Sequence, residues 1–294
     1  MPDLERLKPV PIPAIHPLPE YAVEGQRAEW YAEMKTALQV PWMGVVTMAY
    51  AHYPAFFAAL WNGTRELVAS RTFVERALEQ QRLIEEEVAM LAPPLISDRL
   101  AGAGYGEREI EQIRDVNRVF SHGNHAYALI AAIARLLMEG QDMQGSTESA
   151  LEPYAGRHAP DVDVPFLLME AHHADAPTVA VYDDIKSVLG LPFINTDYRA
   201  FARWPSYWAM AWSDLRQVAG TPAHEALCLA YHDRAVAAVL HEFPNPGGLT
   251  SETLRAAAQT DASVEEVLAV CRLFQWLLPG LAVNVAYLRW QLQA

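Results

Sequence analysis

The chain carries one pattern twice. Displaced by 151 residues, Leu38, Pro41, Ala51, Pro54, Trp61 and Arg65 fall on Leu189, Pro192, Ala202, Pro205, Trp212 and Arg216 without a gap, and Tyr31 and Lys35 fall on Tyr182 and Lys186. Displaced by 154, Leu95, Ser97, Leu100 and Phe120 fall on Leu249, Ser251, Leu254 and Phe274. Both sets keep the same order, which chance alone rarely produces. Two copies are too few for a solenoid, which generally needs roughly three or more stacked units. The expectation is two tandem helical pseudo-repeats, residues 1–139 and 166–294, packed about a pseudo-two-fold axis into one integrated domain. The stretch 140–165, rich in Gly, Ser, Pro and Asp, reads as the linker.

Each copy reads as helix. Arg27–Leu38, Thr72–Met90, Glu107–Phe120, His125–Met138, Ala223–His241 and Val264–Leu278 carry apolar residues at three-and-four spacing. Ser97 and Thr250 or Ser251 stand where N-caps belong, and Pro54 and Pro205 suit the first turn of a helix. Period-two alternation is scarce. The run Gly44–Thr47 is open between a short extended piece and a helix start. The fold class is all-α.

A formal charge of −14 on 294 residues argues against nucleic acid and against docking on anionic membranes, since both need a cationic face. A small anionic substrate stays compatible, because a pocket can be locally favourable on an acidic protein. Two cysteines, Cys228 and Cys271, have no metal-type spacing, and a cytoplasmic setting without disulfides fits them. The proline-rich start MPDLERLKPVPIPAIHPLPEY has no continuous apolar run and does not read as a signal peptide. Ala128–Met138 and Phe274–Tyr287 read as core helices, too short or too interrupted to span a bilayer.

Duplicated halves share what the fold needs, so chemistry is sought where they differ. Asn195-Thr196-Asp197 stands where the first half has Gly44-Val45-Val46. A poorly solvated carboxylate holds its proton more tightly and makes a better general base. The competing reading is a helix N-cap formed by Thr196 or Asp197, and the two roles are compatible. Ser121-His122-Gly123-Asn124 stands where the second half has Gln275-Trp276-Leu277-Leu278. Asn124 there either orients a water or a substrate carboxylate, or belongs to an ordinary helix break at Gly123.

Other motifs weigh less. His172-His173 lies beside Glu170 and Asp175, but adjacent histidines diverge on a helix and no HExxH accompanies them, so no metal is expected. His122 and His125 lack a clear carboxylate partner. Phosphate loops, GxGxxG and GxSxG are absent from the sequence. Trp42, Trp61, Trp204, Trp208, Trp212 and Trp276 are core by default, and Glu85-Glu86-Glu87 reads as a solvated helix face.

Taken together, VPWMGVVT at 40–47, FSHGN at 120–124 with Tyr127, HHAD at 172–175, LPFINTDYRAFARWPSYW at 191–208 and LFQWLLPGL at 273–281 resemble the group I 2-haloacid dehalogenases, and most of all their D-specific branch. The resemblance runs through nearly the whole chain. It implies an all-helical, cofactor-free, dimeric enzyme in which an aspartate activates a water that displaces halide from C2 with inversion. It assigns that aspartate to Asp197 and the water-holding amide to Asn124. Trp42, Val45 and Thr196 fall at pocket-lining positions, with Tyr127 and Trp276 as looser wall positions. Glu75, in FVERA, matches a carboxylate important in the family. The threonine expected one turn earlier is out of register, since Arg71 stands there, so a structural role for Glu75 is an equal alternative. An asparagine two before the aspartate marks the D-specific branch, and Asn195 provides it.

Two further function classes set the contrast. One is a non-catalytic helical protein whose duplicated surface binds a ligand or partner. The other is a metal hydrolase using the histidines.

Overall fold

Apolar stripes at helical spacing set the architecture. The computed structural model describes residues 4–145, 151–162 and 164–293. Its α-helices are α1 (Gln26–Leu38), α2 (Val45–Tyr50), α3 (Pro54–Val68), α4 (Arg71–Glu87), α5 (Ser97–Gly102), α6 (Glu107–Met138), α7 (Ala176–Leu189), α8 (Thr196–Phe201), α9 (Pro205–Val218), α10 (Pro222–Ala237), α11 (Ser251–Asp261) and α12 (Val264–Gln291). Among the described residues the one β-type contact is an isolated bridge between Ser70 and Pro153. The protein is all-α. Gly44–Thr47, open in the sequence, is a helix start.

Two compact units emerge, each drawn from three stretches. One takes its described residues from Met1–Gln80, Gly123–Ala159 and Leu229–Pro279. The other takes them from Gln81–His122, Pro160–Cys228 and Gly280–Ala294. Helices α4, α6, α10 and α12 therefore contribute residues to both.

In the first unit, α3 buries Phe56, Phe57, Leu60, Trp61, Thr64, Leu67 and Val68, one continuous stripe. Helix α11 packs along it. Gly63 permits the segment ahead of α11 to come close, since a Cβ there would lie 2.7 Å from Leu249 Cβ. Asp261, closing α11, accepts the backbone N–H groups of Ala55 and Phe56 at 3.1 and 2.8 Å. It supplies the cap that Tyr53, at the N-cap position, does not. In the second unit, Tyr198, Trp208 and Trp212 form an aromatic layer in which Tyr198 stacks on Trp208 at 5.2 Å.

Internal contacts of the units recur at one spacing. Tyr31 donates its hydroxyl hydrogen to Leu18 O at 2.9 Å, and Tyr182, 151 residues on, donates to Met169 O at 2.7 Å. Leu18 N–H bonds Met48 O at 3.0 Å, and Met169 N–H bonds Arg199 O at 2.8 Å. Trp61 Nε1 donates to Glu33 at 2.9 Å, and Trp212 Nε1 to Asp184 at 2.8 Å. Gln39 and Gly190 both end their helices in the left-handed region, at φ of 51° and 62°. Glycine adopts that conformation without strain, whereas Gln39 is fastened there. Its side chain accepts from His158 and Ala159 N–H at 2.9 and 3.2 Å and donates to Gly156 O at 2.9 Å. These contacts tie down part of the stretch expected to be a linker. Residues 146–150 and 163 of that stretch lie outside the described residues.

Two helices run further than expected. The break at Ser121–Asn124 does not exist, because α6 continues through it for 32 residues. Gly123 is there for space. A Cβ at that position would lie 2.4 Å from Trp42 Cη2 and 2.9 Å from Val40 Cγ1. Helix α12 continues past Leu278 and Pro279 for 28 residues in all. By length and composition alone it could cross a bilayer, a test that the buried core helix of a globular protein also passes. Yet 72% of its most apolar window is buried within the protein, as in a core helix.

Candidate active site

In the first unit, Val40, Trp42 and Met43 form a buried turn ahead of α2. Two residues of α6 shape it. Gly123 makes room for the indole of Trp42. One turn later, Tyr127 donates its hydroxyl hydrogen to Trp42 O at 2.7 Å and lays its ring beside the indole, centroids 5.9 Å apart. That ring also lies against Gly44, where a Cβ would come within 2.9 Å of it. Burial pushes the Tyr127 phenol far above its ordinary range, so it acts as a hydrogen-bond donor and not as an acid. Asn124, between Gly123 and Tyr127 on the same helix, is 4% exposed. Val45, the first residue of α2, is half-buried. Trp42, Gly44, Gly123 and Tyr127 thus form one packed cluster, with Asn124 and Val45 as neighbours in sequence.

Trp276 on α12 is half-buried, with Arg6 and Lys8 over its ring at 5.7 and 5.1 Å from the centroid. Arg6 Nε also donates to Trp276 O at 3.1 Å. Glu75 has a different setting. Its side chain is 60% exposed and pairs with Arg71 at 3.4 Å, so it is not part of the buried cluster. The residue standing in place of the expected threonine is thus the partner of Glu75.

In the second unit, Asn195, Thr196 and Asp197 open α8 and are 7%, 6% and 2% exposed. The expected N-cap at Thr196 or Asp197 is corrected. Asn195 holds the N-cap position, with extended φ and ψ of −61° and 152°, and makes no side-chain cap bond. Thr196 and Asp197 already lie inside the helix, and neither is its cap. Arg199 braces this turn. It donates to both carboxylate oxygens of Glu170 at 2.6 and 2.9 Å and to Thr196 Oγ1 at 3.3 Å. On the same helix, the Tyr198 hydroxyl accepts Asn284 Nδ2 at 2.8 Å.

The carboxylates beside His172 and His173 have structural work. Glu170 holds Arg199, and Asp175 caps α7 by accepting Thr178 N–H at 2.9 Å. Sequence reasoning missed Arg199. Its signal was present, because Arg199 stands where the first half has Met48, a further difference in the segment that contains Asp197.

No family model matches the chain. An (R)-2-haloacid dehalogenase of Rhizobium sp. (strain NHG3) is 42% identical over 256 residues, covering 85% of this chain and 96% of the relative. The chain belongs to the 2-haloacid dehalogenases. A second (R)-2-haloacid dehalogenase, from Pseudomonas putida, is 36% identical over 294 residues, covering 98% and 96%. A solved D-2-haloacid dehalogenase mutant in complex with D-2-CPA superposes with a TM-score of 0.87 at 33% identity, covering 98% of this chain and 99% of that one. Family membership and fold agree, and both fall on the D-specific branch.

Proposed function

We propose that the protein hydrolyses small D-2-haloacids to 2-hydroxyacids, with inversion at C2, through direct attack by a water that Asp197 deprotonates. One observation carries the assignment to Asp197. In a member of this family, that carboxylate is 2% exposed in the first turn of α8 and is not the helix cap. Water is a weak nucleophile, so a base must take its proton as the C–O bond forms. Attack from the side opposite the carbon–halogen bond inverts the carbon. The balance is simple: water supplies the hydroxyl, halide leaves with the bonding pair, and Asp197 passes the proton to solvent.

The other roles follow the resemblance. Asn124 helps hold the water. Trp42, Val45, Thr196, Tyr127 and Trp276 line the pocket. The buried cluster around Gly123 supports the wall role of Trp42 and Tyr127. Arg199, paired with Glu170 and bonded to Thr196, braces the turn that bears Asp197. The paired turns ahead of α2 and α8, with matching bonds at one spacing, support two copies of one ancestral half. The reaction uses no cofactor, and the family implies a cytoplasmic homodimer acting on a small molecule, with no nucleic-acid or membrane partner.

The test is chloride release from D- and L-2-chloropropionate assayed separately. Release from the D-enantiomer alone is expected. No release from either would leave a non-catalytic helical binder as the reading. A single turnover in ¹⁸O water distinguishes direct attack from an aspartyl ester. Direct attack puts the label in the product hydroxyl, whereas label in the Asp197 peptide overturns it.

Asn195 carries the handedness. The residue is 7% exposed and its side chain makes no cap bond, so its bulk is the feature that excludes the L-enantiomer. Asn195→Ala is expected to admit L-2-chloropropionate and to lower the D-to-L ratio of kcat/KM by about tenfold or more, on the order of the selectivity that a small steric difference supplies. An unchanged ratio sinks the assignment.

A further inference from the structure

Two side chains hold one buried peptide group in the first unit. Trp42 and Met43 are 4% and 1% exposed, so the C=O and N–H of the peptide between them need partners within the protein. The C=O accepts the Tyr127 hydroxyl at 2.7 Å. The N–H donates to Glu20 Oε1 at 2.8 Å. We propose that Glu20 is a positioning residue for the haloacid pocket, locking the Trp42–Met43 peptide and with it the direction of the Trp42 indole. The inference rests on the pocket role proposed for Trp42.

The clamp is built from the segment ahead of α1. Leu18 N–H bonds Met48 O at 3.0 Å and Leu18 O accepts the Tyr31 hydroxyl at 2.9 Å, which fastens this segment to α2 and α1. Glu20 follows two residues later, in the short turn Glu20–Ala22. Lys35 on α1 pairs with Glu20 Oε2, which leaves Oε1 for Met43. A carboxylate accepting a backbone N–H makes a charge-assisted bond, stronger than one between neutral groups. Burial, and further the Glu20 charge, push the Tyr127 phenol up, so the other end of the clamp stays a donor. A peptide group is planar and moves as one piece, so held only at its C=O it can rock about the line joining its two Cα atoms. Held at both ends, it is fixed.

The second copy shows that the fold does not need this clamp. At a displacement of 151, Ala171 stands in place of Glu20, and Phe193-Ile194 in place of Trp42-Met43. At 154, Leu281 stands in place of Tyr127. Neither alanine nor leucine has a side-chain hydrogen-bonding group. The anchor behind the clamp is kept in both copies, since Met169 N–H bonds Arg199 O at 2.8 Å and the Tyr182 hydroxyl bonds Met169 O at 2.7 Å. The two clamp residues are thus confined to the copy that carries Trp42, where the stance of a wall residue matters to the substrate.

Full-length protein labelled with 5-fluorotryptophan gives a readout that needs no turnover. Among its eight tryptophan resonances, the Trp42 signal is assigned by its loss in Trp42→Phe. Glu20→Ala is expected to shift or broaden that signal, and Glu20→Gln to restore it, because the glutamine amide oxygen still accepts the Met43 N–H. With D-2-chloropropionate, Glu20→Ala is expected to raise KM by about tenfold or more, within the roughly hundredfold that a small misplacement costs, while kcat changes less. Glu20→Gln is expected to keep KM within about threefold of wild type. A purely structural role predicts the reverse, since a smaller folded fraction lowers apparent kcat and leaves KM unchanged. The Glu20 side chain is 38% exposed, so its truncation leaves no buried cavity, and a melting curve checks that the variant is folded. A Trp42 signal unmoved in Glu20→Ala overturns the proposal. So does an unchanged KM, or a glutamine variant as impaired as the alanine one. Wild-type protein that releases no halide overturns the dehalogenase reading instead, and the fluorine signal still decides whether Glu20 fixes Trp42.

Discussion

Replacing Asp197 by asparagine is expected to lower kcat for D-2-chloropropionate by about a hundredfold to ten-thousandfold, the range that positioned proton transfer contributes. The amide fills nearly the same volume but does not accept the proton of an attacking water at neutral pH. Substrate binding does not need that proton transfer, so KM is expected to move far less than kcat. Removing one negative charge near a carboxylate substrate even favours its binding. Asp197 is 2% exposed in the first turn of α8, so a structural cost is a real alternative cause of lost activity. Circular dichroism and a melting curve separate the two. Retained fold with lost turnover supports the base. Turnover within about threefold of wild type is incompatible with general-base catalysis by this residue.

Much of this is legible in the order of the amino acids alone, for a physical reason. Helical periodicity is a local signal, and the all-α architecture follows from it. The difference between Asn195–Asp197 and Gly44–Val46 is also visible there, because a second copy acts as an internal reference. What escapes depends on partners distant in sequence. Gly123 reads locally as a helix breaker, and only Trp42, 81 positions earlier, shows that it is a space-maker inside a continuous helix. Pro279 reads as a stop, yet α12 runs through it within a largely buried stretch that outweighs the missing backbone donor. Asn195 reads as one of three polar residues, and the backbone geometry makes it the N-cap, with Thr196 and Asp197 inside the helix. Glu75 matches a family carboxylate by motif, but the same motif does not reveal that its side chain is exposed and paired with Arg71. Arg199 is equally available as a difference from Met48, and its meaning comes only with Glu170 and Thr196.

The second large effect is expected at a residue with no side chain. Gly123→Ala sets two opposing terms against each other. In an unobstructed helix the change stabilises by roughly 0.5–1 kcal/mol, since alanine loses less backbone freedom on folding. Here the new methyl would lie 2.4 Å from Trp42 Cη2, 3.1 Å from Cζ2 and 2.9 Å from Val40 Cγ1. Trp42 has little freedom to yield. It is 4% exposed, its carbonyl accepts the Tyr127 hydroxyl at 2.7 Å, and its indole packs beside the Tyr127 ring. Overpacking of this kind costs about 1–3 kcal/mol and sometimes more, so the steric term wins. The melting temperature is expected to fall by a few degrees, using roughly 2–4 °C per kcal/mol for a protein of this size class. The displaced indole should also raise KM for the haloacid if Trp42 lines the pocket. Trp42→Leu in the alanine background removes the obstructing ring, so the two changes together should destabilise less than their sum. A melting temperature that rises in the single variant means that helix propensity prevailed. The close approach of Trp42 to α6 would then be softer than the 2.4 Å contact requires.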